Sequence, residues 1–258
     1  MSFPYQKVLL IGATSGIGEA LATRLVENGT KVIISGRRKE NLDKFVEKHG
    51  EDKVTAKTLD VMNIGQIAKF ASEVVVEHPD LDCIFVNSGI QRAFDFSNPD
   101  MVDMDVFDQE LTTNYTSAVR LAKAFIPHLQ QQSTKTALIF TTSQMALVPM
   151  MRCPNYGASK AALHHFILAL RTQLSDGPGD VQTELHDAKH QPDLKNGHLI
   201  GMPLQQFTEE VWEKLVGRED QILVGSAKDI FNVFEVKRQE LYQQMTEMLS
   251  GLLKQFLR

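Results

Sequence analysis

A tyrosine and a lysine four positions apart, Tyr156 and Lys160 in Tyr-Gly-Ala-Ser-Lys, form a candidate general acid–base pair. On a helix that spacing puts both side chains on one face. A free tyrosine ionises near about pH 10 and exchanges protons poorly at neutral pH. An ammonium beside it favours the phenolate and lowers that pKa. The same pair also occurs on solvated helix faces that do no chemistry, so its meaning depends on what stands upstream.

Upstream, the apolar run Lys7–Ile11 leads into Gly12-Ala-Thr-Ser15-Gly16-Ile17-Gly18 and then into a segment of helical periodicity. This order predicts strand, glycine turn and helix. Gly12 suits the tight turn, Gly16 leaves room for a pyrophosphate, and Gly18 allows helix and strand to pack closely. Free N–H groups and the positive end of the helix dipole suit an anion there. A glycine-rich turn with no ligand is the plainer alternative. The second predicted strand, Lys31–Ser35, runs into Gly36-Arg37-Arg38. An acidic residue at this point would hold the ribose 2′-hydroxyl of NAD. None is present, and the planar guanidinium of Arg37 suits a phosphate, which points to NADP(H). Ordinary surface charge is the other reading of the two arginines.

Together these pieces resemble the single-domain short-chain dehydrogenase/reductase family. Gly12, Gly16 and Gly18 match its Gly-x-x-x-Gly-x-Gly cofactor motif, with Ser15 and Ile17 inside the same turn. Asp60 stands at the adenine-contacting aspartate. Asn87-Ser-Gly89 matches the family's Asn-Asn-Ala-Gly turn, with Val86 in place of the first Asn. Asn114, Ser143, Tyr156 and Lys160 match the catalytic tetrad. Val181 and Thr183, in Pro178-Gly-Asp-Val-Gln-Thr183, match a segment that contacts the nicotinamide. The resemblance covers about residues 5 to 185. It implies that Tyr156 exchanges a proton with the substrate oxygen while Lys160 lowers its pKa and holds the nicotinamide ribose. It further implies that Ser143 positions the substrate and Asn114 holds a water of a proton relay. A homodimer or homotetramer is implied as well.

The chain of 258 residues is 43% hydrophobic and 23% charged, ordinary for a soluble α/β protein with one large core. A net charge of −5 without a basic stripe argues against nucleic-acid binding. The two cysteines, Cys83 and Cys153, imply no disulfide and fit a reducing compartment. No signal-peptide or membrane-spanning apolar run stands out, so the expected location is cytoplasmic with no membrane partner.

Strand and helix patterns alternate, which predicts a Rossmann-type doubly wound parallel sheet with helices on both faces. Residues 1–258 read as one domain, with a substrate lid over about 186–220 and a helical tail over 229–258. On the predicted lid helix Phe207 and Trp212, with Met150 and Met151 nearer the Tyr156 helix, are candidate apolar lining. His186 and His190 have metal-ligand spacing but no third ligand, so no metal is expected.

One segment conflicts with the pattern. A helix from Tyr156 to Ser175 spans about 30 Å. Returning to the catalytic face takes roughly nine extended residues, yet only Asp176 and Gly177 precede Pro178. The sixth strand therefore reads as shortened or missing. Three explanations stay open: Val181–Leu185 is itself the strand, the helix ends early, or the chain is a truncated product. The leading functional reading is an NADP(H)-dependent oxidoreductase acting on the carbonyl or secondary alcohol of a small, apolar substrate. The alternatives are a non-catalytic scaffold or truncated isoform with impaired cofactor binding, and a lyase or epimerase using Tyr156 as base.

Overall fold

The computed structural model describes residues 3–174, 180–186, 202–225 and 227–244. Seven parallel strands form one sheet: β1 (Lys7–Ile11), β2 (Lys31–Gly36), β3 (Val54–Thr58), β4 (Cys83–Val86), β5 (Ala137–Ser143), β6 (Asp180–His186) and β7 (Gln221–Ile222). Their spatial order is β3-β2-β1-β4-β5-β6-β7. The order reverses between β1 and β4, whose ends meet at Ile11 and Val86. A crevice at the carboxyl ends of the strands opens at such a switch point. The Rossmann-type fold expected from the sequence is the fold observed.

The central strands are apolar on both faces because helices cover both. Val8, Leu10, Ile34, Phe85 and Ile139 face one core layer, with α1 (Gly16–Glu27) and α7 (Leu204–Val216). Leu9, Ile11, Ile33, Ile84 and Phe140 face the other, with α3 (Ile67–Glu77), α5 (Ser117–Gln131) and α6 (Pro154–Leu174). This alternation is the period-two pleat of a strand. Each such side chain, wholly buried, contributes roughly 1.5–3 kcal/mol. α2 (Lys39–His49) covers the outer strands, and α4 (Met104–Leu111) joins α5 through a π turn at Thr112–Thr116.

Two expectations are corrected. First, the sixth strand is neither missing nor shortened: Asp180–His186 pairs with β5 along its full length. α6 runs to Leu174, and the described strand begins at Asp180, within the Pro-Gly-Asp-Val-Gln-Thr pattern. Second, Phe207 and Trp212 do not line the site. They lie in the core beneath α1, where Trp212 stacks on Phe3 with ring centroids 5.5 Å apart and Arg24 pairs with Glu209 at 2.7 Å. Residues 187–201 of the expected lid, including His190, lie outside the described residues. The tail meets α6 through polar groups. α8 (Ala227–Ile230) continues through a π turn at Phe231–Glu235 and on to residue 244. Glu235 is buried against His164 at 2.9 Å, while Phe234 and Leu241 are exposed. Met245, Met248 and Leu252 lie outside the described residues.

Candidate active site

The turn between β1 and α1 is built for close backbone approach. Gly12 has φ +91°, and a Cβ there would stand 2.7 Å from the Ser88 nitrogen. A Cβ on Gly18 would overlap the Gly12 carbonyl oxygen and stand 2.7 Å from Asn87 Nδ2. The Gly12 and Ala13 N–H groups donate to the Ser35 carbonyl, at 2.8 and 3.0 Å, fixing the turn to β2. Asn87 locks the same corner: its Nδ2 donates to the Gly12 carbonyl at 3.1 Å, and its Oδ1 accepts from Thr141 Oγ1 at 2.8 Å. Gly16 begins α1, so the first N–H groups of that helix face the turn.

A cleft of about 1080 Å³, open to solvent, runs from this turn to Tyr156 and Lys160. Ser15, Ile17, Arg37 and Arg38 line one end, Asp60 and Met62 the side, and Asn87 to Gln91 the floor. Arg38 folds over the turn: its Nη2 donates to Thr14 Oγ1 at 2.7 Å and to Ser15 Oγ at 2.6 Å. Asp60 caps its own loop by accepting from the Met62 N–H at 3.0 Å.

At the other end, Lys160 is buried and donates to the Thr141 carbonyl at 2.9 Å. Burial pushes its pKa down to about 8. Its Nζ lies 5.7 Å from the Tyr156 ring centroid. A Cβ on Gly89 would stand 3.5 Å from Lys160 Nζ and 3.4 Å from Asn114 Oδ1, so these three residues meet. Asn114 sits in the π turn. Its Oδ1 accepts from the Ile90 N–H at 2.9 Å, and its Nδ2 donates to the Ile90 carbonyl at 2.8 Å and to Ser159 Oγ at 3.0 Å. Ser143 ends β5, buried, and its Oγ accepts from the Met145 N–H at 3.2 Å. Met145 and Cys153 pack against Tyr156.

The cleft fits a nicotinamide dinucleotide. Bare glycine backbone and helix N–H groups stand where a pyrophosphate needs them. The buried, unpartnered Ser88 Oγ lies beside the glycine turn, and a buried ammonium with one protein acceptor stands at the opposite end. Two expected contacts are not brought there. Thr183 pairs with Phe140 and Val181 with Leu138, whereas Ser143 pairs with His186. At about 3.3 Å per residue, Thr183 and Val181 lie roughly 10 and 16 Å back from the catalytic edge. Of the two arginines the sequence put Arg37 first, whereas in the structure Arg38 is the one folded over the turn, and Glu110 was not among the sequence candidates. That buried glutamate precedes Asn114 by one helical turn, and the spacing was its only signal. Among the described residues no group of His, Cys, Asp or Glu is placed to hold a metal, and no helix is long and apolar enough to cross a membrane.

Known proteins give the same picture. The family model described as short chain dehydrogenase matches residues 6–191. The chain is 36% identical over 181 residues to an uncharacterized oxidoreductase, DltE, of Bacillus subtilis, covering 70% of each chain. It is 32% identical over 167 residues to the NADP-dependent 3-hydroxy acid dehydrogenase YdfG of Salmonella typhimurium, covering 65% of this chain and 66% of that one. Among solved structures, a short chain dehydrogenase from Burkholderia cenocepacia in complex with NADP superimposes with a TM-score of 0.75. Its identity is 25%, over 95% of this chain and 98% of that one.

Proposed function

Since this chain belongs to the short-chain dehydrogenase family of oxidoreductases, we propose that it reduces the carbonyl, or oxidises the secondary alcohol, of a small apolar substrate with NADP(H). The observation that carries this reading is the buried Lys160 ammonium beside Tyr156 at the end of a cleft that begins in a phosphate-suited turn. The cofactor, when bound, supplies or accepts the hydride. Tyr156 gives its proton to the substrate oxygen, or takes one from the alcohol in reverse. Lys160 favours the phenolate form and donates toward the ribose hydroxyls. Ser143 Oγ holds the substrate oxygen in line. Asn114 fixes the Ile90 loop beside Lys160 and anchors the proton relay.

The choice of NADP(H) over NAD(H) rests on Arg38, with Arg37 beside it. Its guanidinium already spans Thr14 and Ser15 at the rim of the turn, and a 2′-phosphate would accept from its remaining N–H groups. The dependence on NADP printed in the name of YdfG and the NADP complex of the Burkholderia protein agree with it. Exposed Val148, Met150 and Met151, on the loop that leads to Tyr156, favour an apolar substrate. Exposed Val233, Phe234 and Leu241 favour a homo-oligomer. Cys83 and Cys153, both buried and neither in a disulfide, suit a reducing, cytoplasmic setting.

The test is consumption of NADPH by purified protein with a panel of ketones and aldehydes, repeated with Tyr156→Phe. The variant should lose about 100-fold or more in turnover and still bind NADPH. Full turnover by Tyr156→Phe would remove the role assigned to the phenol.

A further inference from the structure

We propose that Glu110 is a positioning residue: from α4 its carboxylate fixes the loop that leaves β4 and thereby holds Gln91 in the wall of the cleft beside Tyr156. The proposal rests on the site described above and adds a residue outside its acid–base machinery.

The loop is clamped twice from one side. Asn114 holds both backbone groups of Ile90, at 2.9 and 2.8 Å. One helical turn earlier, Glu110 Oε1 accepts the Arg92 N–H at 2.6 Å. Residues four apart share a helix face, so the two side chains meet the loop two residues apart. Gln91 lies between the anchors and lines the cleft. Its Nε2 donates to Cys153 Sγ at 3.1 Å, and Cys153 packs with Met145 against Tyr156. α4 is also tied to the start of α6, because Asn155 Nδ2 donates to the Phe107 carbonyl at 2.8 Å. Glu110 therefore stands where the substrate-side loop, α4 and the residue before Tyr156 converge.

The carboxyl is an unusual choice for this place. Glu110 is wholly buried, and its Oε2 has no partner. A glutamine would offer the same acceptor to the Arg92 N–H without a charge. The groups that face the carboxyl are Arg92 on the loop and the Asn155 amide on α6. Burial raises its pKa to about 7, against the opposing pull of the Arg92 N–H, Asn155 and the Arg92 guanidinium. The ionised form makes the stronger, charge-assisted bond to the loop. The anchor thus tightens as pH rises through neutrality and loosens below it.

The test is hydrogen exchange at the loop amides, Gly89 to Phe94, in wild type and Glu110→Gln at pH 6 and pH 8, corrected for intrinsic exchange rates. NADPH binding is measured on the same samples. In wild type, protection of the loop should rise about fivefold from pH 6 to pH 8, the difference between a neutral and a charge-assisted bond. In Glu110→Gln it should stay at the lower level at both values, while β1 and β5 keep wild-type protection. A purely structural role would lower protection across the fold and give no pH step confined to the loop. Equal loop protection in both proteins, or no pH step in wild type, overturns the proposal. The wild-type step is read without the variant, so a misfolded variant does not block the test. Loss of NADPH binding with the step intact would refute the cofactor reading and leave this one standing.

Discussion

Removing the Lys160 charge should stabilise the cofactor-free protein while abolishing its activity. Burial displaces the lysine from its usual 10.5 to about 8. At about 1.4 kcal/mol per tenfold change in proton affinity, that is a cost of roughly 3 kcal/mol for keeping the ammonium in the fold. Lys160→Met fills a similar volume without the charge. It also orphans the Thr141 carbonyl, which accepts from Lys160 at 2.9 Å, at a cost of about 1–2 kcal/mol. The net gain is about 1–2 kcal/mol, or a rise in Tm of roughly 2–8 °C for a domain of this size. The pH dependence separates this cause from others. Below pH 8 the folded and unfolded chains both carry the proton, and the full cost is felt. Between about 8 and 10.5 the unfolded chain binds a proton that the folded chain lacks, so wild type gains stability as pH rises. The variant's advantage should therefore be greatest at pH 7, close at about pH 9 and reverse by pH 10. The assay is a thermal melt of both proteins across that range without cofactor. A variant less stable than wild type at pH 7, or a gap that does not change with pH, would refute the desolvation argument.

Other substitutions separate cofactor choice, turn packing and the tail. Arg38→Ala should weaken NADPH about 10- to 100-fold and NADH by no more than about twofold in calorimetric titration. An equal loss for both would show that Arg38 does not read the 2′-phosphate. Gly18→Ala drives a methyl into the Gly12 carbonyl and Asn87, so it should cost about 1–3 kcal/mol in denaturant melts and greatly weaken NADPH. Burial raises the Glu235 pKa, but bonds from His164, Gln239 and Arg238 outweigh it and hold the carboxyl down at about 2. Its stabilisation is present above the usual glutamate pKa near 4.5 and is lost as pH falls toward 2. Glu235→Gln should therefore be less stable than wild type at pH 7, and the difference should shrink in acid melts.

The first five strands were legible in the sequence because each is a short apolar run between turn residues, and their helices because the apolar spacing changes to helical. Tyr156 and Lys160 stood out by type and spacing, Asn114 and Ser143 only through the family resemblance; Tyr156 and Lys160 line the cleft, and Asn114 meets Lys160 at Gly89. What failed did so for physical reasons. The periodicity of Phe207, Val211 and Trp212 marks a buried face but not its partner, and the partner is α1 rather than the substrate. The Pro178–Thr183 pattern resembles a loop beside the nicotinamide, but α6 ends at the far edge of the sheet. Asp180–His186 forms the strand, and Thr183 lies at mid-sheet opposite Phe140. Glu110 reads as a surface charge in sequence, and only the approach of the Arg92 N–H shows what it holds. The apolar spacing of the tail did not show its contact with α6, which forms around the buried His164–Glu235 pair.

The most direct measurement is hydride transfer itself: NADPH and NADH consumption by wild type, Tyr156→Phe and Arg38→Ala against the same carbonyl panel. The account predicts turnover by wild type with NADPH far above that with NADH, loss of it in Tyr156→Phe with NADPH still bound, and loss of the NADPH preference in Arg38→Ala. Absence of turnover by folded wild type that binds neither nucleotide would contradict it.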